Sequence, residues 1–309
     1  MTAIGTAAGA TSRGSNALSQ LWLRSESLRG LTLISPTLVV MFGMMVAPII
    51  VTIVQSFWTQ NGFQFDRTPT LGSYAVMLGQ DGVIYWRLIG RSLWMSFTAT
   101  VAVVALAYPM AYFMAFRVTR HKLLWIILIT IPFWTSYLLR VFAWKVILGF
   151  NGAINSGLIQ AGLIKQPLEF LLYNPTAVTI TLAHAWAAYA ILPIYVSLEK
   201  IDRSLLEAAT DLGDGPVKRF LRVTFPLSLP GTIAAILMVF IPTVGDYVTP
   251  SLVGGTDGMM IGNSIAMMYG RANNQPLGAV ISIVMMLVIA VLVGLFLLAV
   301  GRRRLLQKA

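Results

Sequence analysis

Six stretches of this chain are long and apolar enough to cross a lipid bilayer, and that restricts the backbone to helix over most of its length. A spanning helix needs about 20 mostly apolar residues. The runs fall at roughly 31–57, 92–116, 123–148, 176–199, 231–254 and 277–300. Hydrocarbon holds no water to satisfy a free N–H or C=O, so each run must close its own backbone hydrogen bonds. Composition agrees: 57% of the 309 residues are hydrophobic and 11% are charged, against about 25% charged in an ordinary soluble chain. The expected fold is an all-α membrane protein of six transmembrane helices over 31–300, with an N-terminal tail at 1–30 and a basic C-terminus at 301–309. The tail is rich in Ser, Thr, Ala and Gly and reads as unstructured. The first apolar run is too long for a signal peptide, and no cleavage site follows it. The fifth run is the least regular, because Pro242, Gly245 and Pro250 interrupt it. Such breaks persist only where protein or a wet cavity satisfies the freed groups.

Lysine and arginine set the expected orientation. Of 22 such residues, fifteen lie in the tail, the 117–122 loop, the 200–230 loop and the C-terminus. Five lie in the alternate segments, and Arg140 and Lys145 fall inside the third span. Both termini are therefore expected in the cytoplasm. The net charge of +11 is then a topology signal, not a nucleic-acid footprint, and no aromatic–basic repeats argue otherwise. The segments 58–91 and 149–175 are expected to form short helices along the opposite surface.

Several kinds of chemistry have little to build on. With no cysteine and two histidines, neither a metal cluster nor a thiol nucleophile can be assembled, and no nucleophile–base constellation stands out. A self-sufficient secondary carrier usually needs intramembrane carboxylates and shows inverted repeats. Here there is one intramembrane aspartate and no evident repeat.

The 201–230 loop has helical grammar of its own. Ser204 and Glu207 are spaced as a capping box, which predicts a helix with Ser204 as N-cap. Gly213 stands where a left-handed cap would end it, and Pro216 suits the first turn of a second helix. Val217, Phe220, Leu221 and Thr224 then share one face, and Pro226 and Pro230 are expected to stop that helix. By grammar alone, a solvated re-entry loop with an interfacial helix is an equal reading.

Glu207-Ala208-Ala209, three residues, Gly213, nine residues, Val223, one residue and Phe225-Pro226 resemble the EAA loop of ATP-binding-cassette importer permeases. Valine stands for the usual isoleucine and phenylalanine for the usual leucine. The resemblance implies the type I importer permease fold. It also implies that Glu207, Ala208, Ala209, Gly213, Phe220, Val223 and Pro226 belong to a coupling surface docked by an ATPase. The chain has no G-x-x-x-x-G-K-[ST] phosphate loop, so ATP and magnesium are expected on that separate subunit. The expected assembly has two such ATPases, a second homologous permease subunit and a periplasmic solute-binding protein. The 131–144 and 241–255 segments, with Met259-Met260-Ile261-Gly262-Asn263-Ser264-Ile265, look like permeases of spermidine/putrescine importers. Permeases for an opine, an amino acid derivative or a phosphonate belong to the same class and stay open as alternatives.

Arg140, Lys145 and Asp246 lie inside the expected spans, where a charge is costly and so a functional candidate. Lys145 sits near a span end and can snorkel. Arg140 and Asp246 fall at matching depth. Either Asp246 contacts a cationic substrate, or it neutralises Arg140. Phe133, Trp134, Tyr137, Trp144, Trp186, Tyr189 and Tyr247 cluster in the same spans, and an aromatic face can hold an ammonium group. Trp134, Tyr137, Asp246 and Tyr247 form the expected small-molecule path. His184, among alanines, is expected to serve helix packing.

Overall fold

The computed structural model describes residues 26–306. Helix α1, Glu26–Gln55, begins inside the expected tail; the rest of that tail and residues 307–309 of the basic terminus lie outside the described residues. The chain divides into two compact units after Val54. Within α1, Pro36 removes the N–H that would bond the Thr32 carbonyl, and the Ser35 hydroxyl donates to that carbonyl at 2.8 Å instead.

The second unit opens with a hairpin of β1, Thr59–Asn61, and β2, Gln64–Asp66, where a surface helix was expected. Gly62 takes a positive φ of 61° at its tip. The hairpin is tied to the segment before the last helix: Gln60 Nε2 donates to Asn273 Oδ1 at 3.0 Å, and Gln60 Oε1 accepts from Gln275 N at 2.8 Å. Then follow α2, Gly72–Leu78; α3, Val83–Phe116; α4, Lys122–Thr130; α5, Tyr137–Leu148; and α6, Ala153–Gln160. Next come α7, Pro175–Glu199; α8, Arg203–Asp211; α9, Pro216–Val244; α10, Ile261–Tyr269; and α11, Gln275–Leu306. Among the described residues, six helical segments are long and apolar enough to cross a membrane; the third is Tyr137–Gln160, which takes in α5 and α6.

The centre is a three-helix packing of α3, α7 and α9. Ala99, Val103, Ala107 and Ala111, four residues apart on α3, are all buried, as are Ala190 and Ile194 on α7 and Ala235 and Val239 on α9. Lipid provides no hydrophobic drive between helices, so small side chains that let backbones approach supply the contact. The tightest point is Gly231. A Cβ there would stand 2.3 Å from the Pro193 carbonyl oxygen and 2.4 Å from Ser197 Cβ. Gly231→Val is expected to destabilise the bundle by at least the roughly 1–3 kcal/mol of an overpacked core. Thermal unfolding of the detergent-purified protein checks this, and an unchanged midpoint would contradict the packing described.

Four expected boundaries differ. The second span starts nine residues early because Arg87 and Arg91 lie within α3, where long basic side chains can direct their charge to the interface. The third span is broken: α4 passes into a 3-10 turn, Ile131–Trp134, and the backbone is extended at Thr135 before α5 begins. The prolines of the 201–230 loop do not stop its second helix. A π-turn at Phe220–Thr224 widens the ladder just ahead of Pro226. Pro226 has no N–H to donate and its ring would crowd the preceding turn, and one wider turn lets the helix continue. α9 is therefore a single rod of 29 residues, roughly 40 Å at 1.5 Å per residue. It ends at Val244, well short of the expected 254, in a turn at 245–247 and a π-turn, Pro250–Gly254.

Candidate functional site

Two places hold the singled-out residues, one at each end of α9. At the start is the 201–230 loop. Its N-cap is Asp202, not Ser204: the Asp202 carboxylate accepts from Ser204 N at 3.0 Å, which places Ser204 within the first turn. A carboxylate suits this position because it also meets the positive end of the helix dipole. The hydrogen bonds from Ser204 hold the Asp202 carboxyl below its ordinary value of 3.8, so it stays ionised. Gly213 takes φ +84°. Its N–H bonds the Thr210 carbonyl at 2.9 Å, and Asp214 N bonds the Ala209 carbonyl at 3.0 Å, the paired closure of a Schellman turn. Arg219 donates to Thr210 Oγ1 at 2.8 Å and Arg222 to Asp214 Oδ1 at 3.1 Å, so α8 is tied to the first turns of α9.

The expected shared face of the second loop helix splits in two. Phe220 and Thr224 turn inward. The Phe220 ring meets Tyr108 edge-on at 5.5 Å, and Phe225 at 6.1 Å. The Tyr108 and Ser228 hydroxyls share a 2.6 Å hydrogen bond beneath them. Phe220 therefore anchors the loop to α3 and is not part of its outward surface. Val217, 71% exposed, and Leu221 face outward with Leu212, 87% exposed. Leu212 was not singled out in the sequence, although an apolar residue just before a capping glycine is a readable signal. Ala208 is exposed, Ala209 is buried, and Val223 and Pro226 are half-buried. Glu207 is exposed at the edge of a cleft of about 430 Å³ lined also by Arg117, Arg203, Asp211 and Arg219. It makes no hydrogen bond or ion pair among the described residues, which leaves its carboxylate available to a partner.

At the far end of α9, the turn at 245–247 meets the break in the third span. Asp246 is 8% exposed. Its Oδ2 accepts from the Tyr137 hydroxyl at 2.5 Å and its Oδ1 from Val248 N at 2.9 Å. The Tyr137 oxygen also lies 2.7 Å from Thr249 Oγ1; with Tyr137 donating to Asp246, Thr249 donates to Tyr137. Hydrogen bonds to an ionised group contribute about 1.5–3 kcal/mol each, which offsets part of the cost of burying the carboxylate. Gly262 makes the approach possible: a Cβ there would stand 2.7 Å from the Gly245 carbonyl oxygen.

Arg140 does not neutralise Asp246. Its Nη1 donates to the Ala185 carbonyl at 2.8 Å, and its Nη2 donates to the carbonyls of Phe133 at 3.2 Å and Thr135 at 3.1 Å. Its guanidinium lies 4.8 Å from the Phe133 ring centroid. The Phe133 and Thr135 carbonyls lie at the break between α4 and α5, where no helix continues to satisfy them, and a cation is favoured beside such a C-terminus; the Ala185 carbonyl belongs to α7. Arg140 is thus the staple of the broken span. Among the described residues the only ion pairs are Lys122–Glu199 and Arg222–Asp214, so Asp246 faces no protein cation.

The other expected path residues separate. Trp134 is 85% exposed within the 3-10 turn. Tyr247 is exposed and is joined to Asp246 only along the backbone; its carbonyl accepts from Asn263 Nδ2 at 3.0 Å. Trp186 lies beside Tyr137, with ring centroids 6.1 Å apart. His184 packs between Phe133 and Trp144 at 6.1 and 5.3 Å. Thr249 escaped the sequence reading, although a hydroxyl three residues after an intramembrane acid in a proline-broken span is a usable signal.

A family model described as "Binding-protein-dependent transport system inner membrane component" matches residues 3–306. The chain is 35% identical over 263 residues to the spermidine/putrescine transport system permease protein PotB of Escherichia coli, covering 84% of this chain and 93% of that one. It is 34% identical over 250 residues to the Haemophilus influenzae PotB, covering 81% and 86%. It is 31% identical over 249 residues to the E. coli inner membrane ABC transporter permease protein YdcU, covering 76% and 78%. Among solved structures, a bacterial ABC transporter that imports the acidic polysaccharide alginate matches with a TM-score of 0.67 at 14% identity, covering 93% of this chain and 98% of that one. A second, in complex with an alginate pentasaccharide-bound periplasmic protein, has a TM-score of 0.64 at 16% identity, covering 93% and 97%. At such identities the likeness speaks for the fold alone.

Proposed function

This chain belongs to the family of binding-protein-dependent transport system inner membrane components, and we propose that it is the permease subunit through which an ATP-driven importer passes linear polyamines of the spermidine/putrescine kind. The observation that carries the substrate reading is the buried Asp246 carboxylate, which faces no protein cation and has aromatic rings beside it. Two curated relatives are spermidine/putrescine permeases, which supports the same reading. A neutral or anionic solute would leave the carboxylate with its Tyr137 and Val248 hydrogen bonds but no counter-charge, and a buried charge without one is expensive.

The partners follow from the surfaces. An ATPase subunit covers Leu212, Val217 and Leu221 and receives the free Glu207; ATP and magnesium are held there and not by this chain. A second, homologous permease completes the pathway, and a second ATPase serves it. A periplasmic solute-binding protein delivers the amine on the side opposite the loop. Both termini and the 201–230 loop then face the cytoplasm.

The geometry suggests how the two sites communicate. Closure of the ATPases displaces α8. The Schellman turn and the Arg219 and Arg222 contacts pass that displacement to α9, which has no break before Val244. The rod ends at the turn that holds Asp246, so a rigid-body motion at one end alters the Tyr137–Asp246 contact at the other.

Reconstitution tests this reading. Liposomes containing this chain with its second permease and ATPases should accumulate spermidine or putrescine only when ATP and the binding protein are both supplied. Uptake by this chain alone would refute it, as would an assembled importer that ignores both amines.

A further inference from the structure

Three rings form an unbroken series leading away from Asp246. Tyr137, whose hydroxyl holds the carboxylate, has its ring centroid 6.1 Å from that of Trp186, and Trp186 lies 5.1 Å from Tyr189. Exposure rises along the series. Asp246 is buried, Tyr137 and Trp186 are half-buried, and Tyr189 is 45% exposed. Tyr189 stands at the head of a groove of about 740 Å³ between α7 and α9. The groove passes Pro193 and Pro230 and opens beside Lys200 and Asp202, where α8 begins. The carboxylate is thus joined to the loop side by ring faces and then by a mostly apolar groove along α7 and α9.

Packing alone explains such rings less well than it first suggests. The buried Trp186 indole N–H lies beside the Tyr137 hydroxyl that holds Asp246, which links the second ring of the series to the carboxylate. With its polar edge turned to Tyr137, the ring keeps its π face for other contacts. The spacing is informative too. Two amines separated by three or four methylenes lie about 5 or 6 Å apart when extended, given single bonds of about 1.5 Å. Those are the separations along the series. An ammonium group over an aromatic face is attracted by the ring quadrupole, most strongly where water is excluded.

We infer that Trp186 and Tyr189 are cation–π positions for successive ammonium groups of a linear alkyl di- or triamine leaving Asp246, and that the groove between α7 and α9 is its way out on the loop side. Lys200 and Asp202 at the mouth offset each other in charge, so the exit neither traps nor repels the amine. The inference rests on the polyamine reading.

The test uses the complete importer in liposomes, with its binding protein and ATP, and measures putrescine and spermidine uptake. Tyr189→Phe should keep uptake within about twofold of the natural chain, since the face remains. Tyr189→Leu should lower it roughly fivefold or more, the factor set by loss of a cation–π contact at a half-exposed ring. Phenylalanines bearing one, two and three fluorines at position 189 should lower uptake stepwise. Fluorine drains the ring quadrupole at nearly constant shape, so a ring that only packs does not respond. If Tyr189→Leu does not assemble, the fluorine series decides alone. A flat series, or Tyr189→Leu at the natural rate, overturns the inference while the polyamine reading stands. An unaltered importer that takes up neither amine removes that reading, and this inference with it.

Discussion

Asp246→Asn is expected to lower uptake of spermidine or putrescine by roughly 10- to 100-fold, the factor equivalent to losing about 1.5–3 kcal/mol of charge-assisted binding. The substitution is nearly isosteric. The amide oxygen can still accept from Tyr137 or from Val248 N, the two donors that hold the carboxylate now at 2.5 and 2.9 Å. What disappears is the negative charge. A structural charge would reveal itself by loss of stability on removal. Here the expected sign is the reverse, because Asp246 is in no ion pair among the described residues and is buried at a desolvation cost. The complex should unfold at the same temperature or higher, and co-purify with its partners, while uptake falls. Asp246→Leu extends the test: it orphans the Tyr137 hydroxyl and the Val248 N–H, so it should both destabilise the protein and stop transport. Uptake by Asp246→Asn at the natural rate, with affinity for the amine unchanged, would exclude a direct substrate contact.

How much of this was legible in the sequence depends on range. The spans were readable because twenty apolar residues in hydrocarbon leave the backbone one solution. Gly213 was readable because a left-handed turn is a one-residue constraint. Some misreadings were local, such as Ser204 for Asp202 as N-cap; others involve residues whose role depends on a distant partner. Arg140 and Asp246 fall at the same depth along their spans, which suggests a pair. The break at Ile131–Trp134 supplies carbonyls that Arg140 satisfies instead, and Pro132, two residues past the end of α4, is the local sign of that break. Phe220 and Leu221 are adjacent, about 100° apart around a helix of 3.6 residues per turn, so one can pack on Tyr108 while the other faces outward, and the π-turn through Phe220–Thr224 shifts the faces that follow. A period of 3.6 residues cannot foresee a wider turn. Pro226 reads as a terminator by intrinsic propensity, and the same turn lets the rod continue through it. Trp134 and Tyr247 carry the right chemistry, yet only Tyr137 reaches the carboxylate, because a turn at 245–247 points one residue inward at a time.

That continuous rod makes the second large effect predictable. Gly213→Val is expected to leave ATP hydrolysis running while uptake falls about tenfold or more, as rigid transmission from α8 to α9 is lost. The reason is local. Gly213 sits at φ +84° with nothing within 4 Å of where a Cβ would stand, so no neighbour forbids a side chain there. The whole penalty is conformational, and for a β-branched residue in the left-handed region it is about 1–2 kcal/mol or more. Such a residue relaxes by abandoning the turn. The Gly213–Thr210 and Asp214–Ala209 hydrogen bonds then open. α8 keeps its Asp202 cap but loses its fixed angle to the rod, held afterwards only by exposed Arg219 and Arg222 contacts that are individually weak. The position supplies its own control. Asparagine tolerates the left-handed region, so Gly213→Asn should retain most of the uptake that valine loses, although it adds more polar bulk to the presumed docking surface. If both variants fail alike, Gly213 matters for contact with the ATPase and not for its φ angle. If valine transports normally, the Schellman turn is not the joint through which the loop drives the rod.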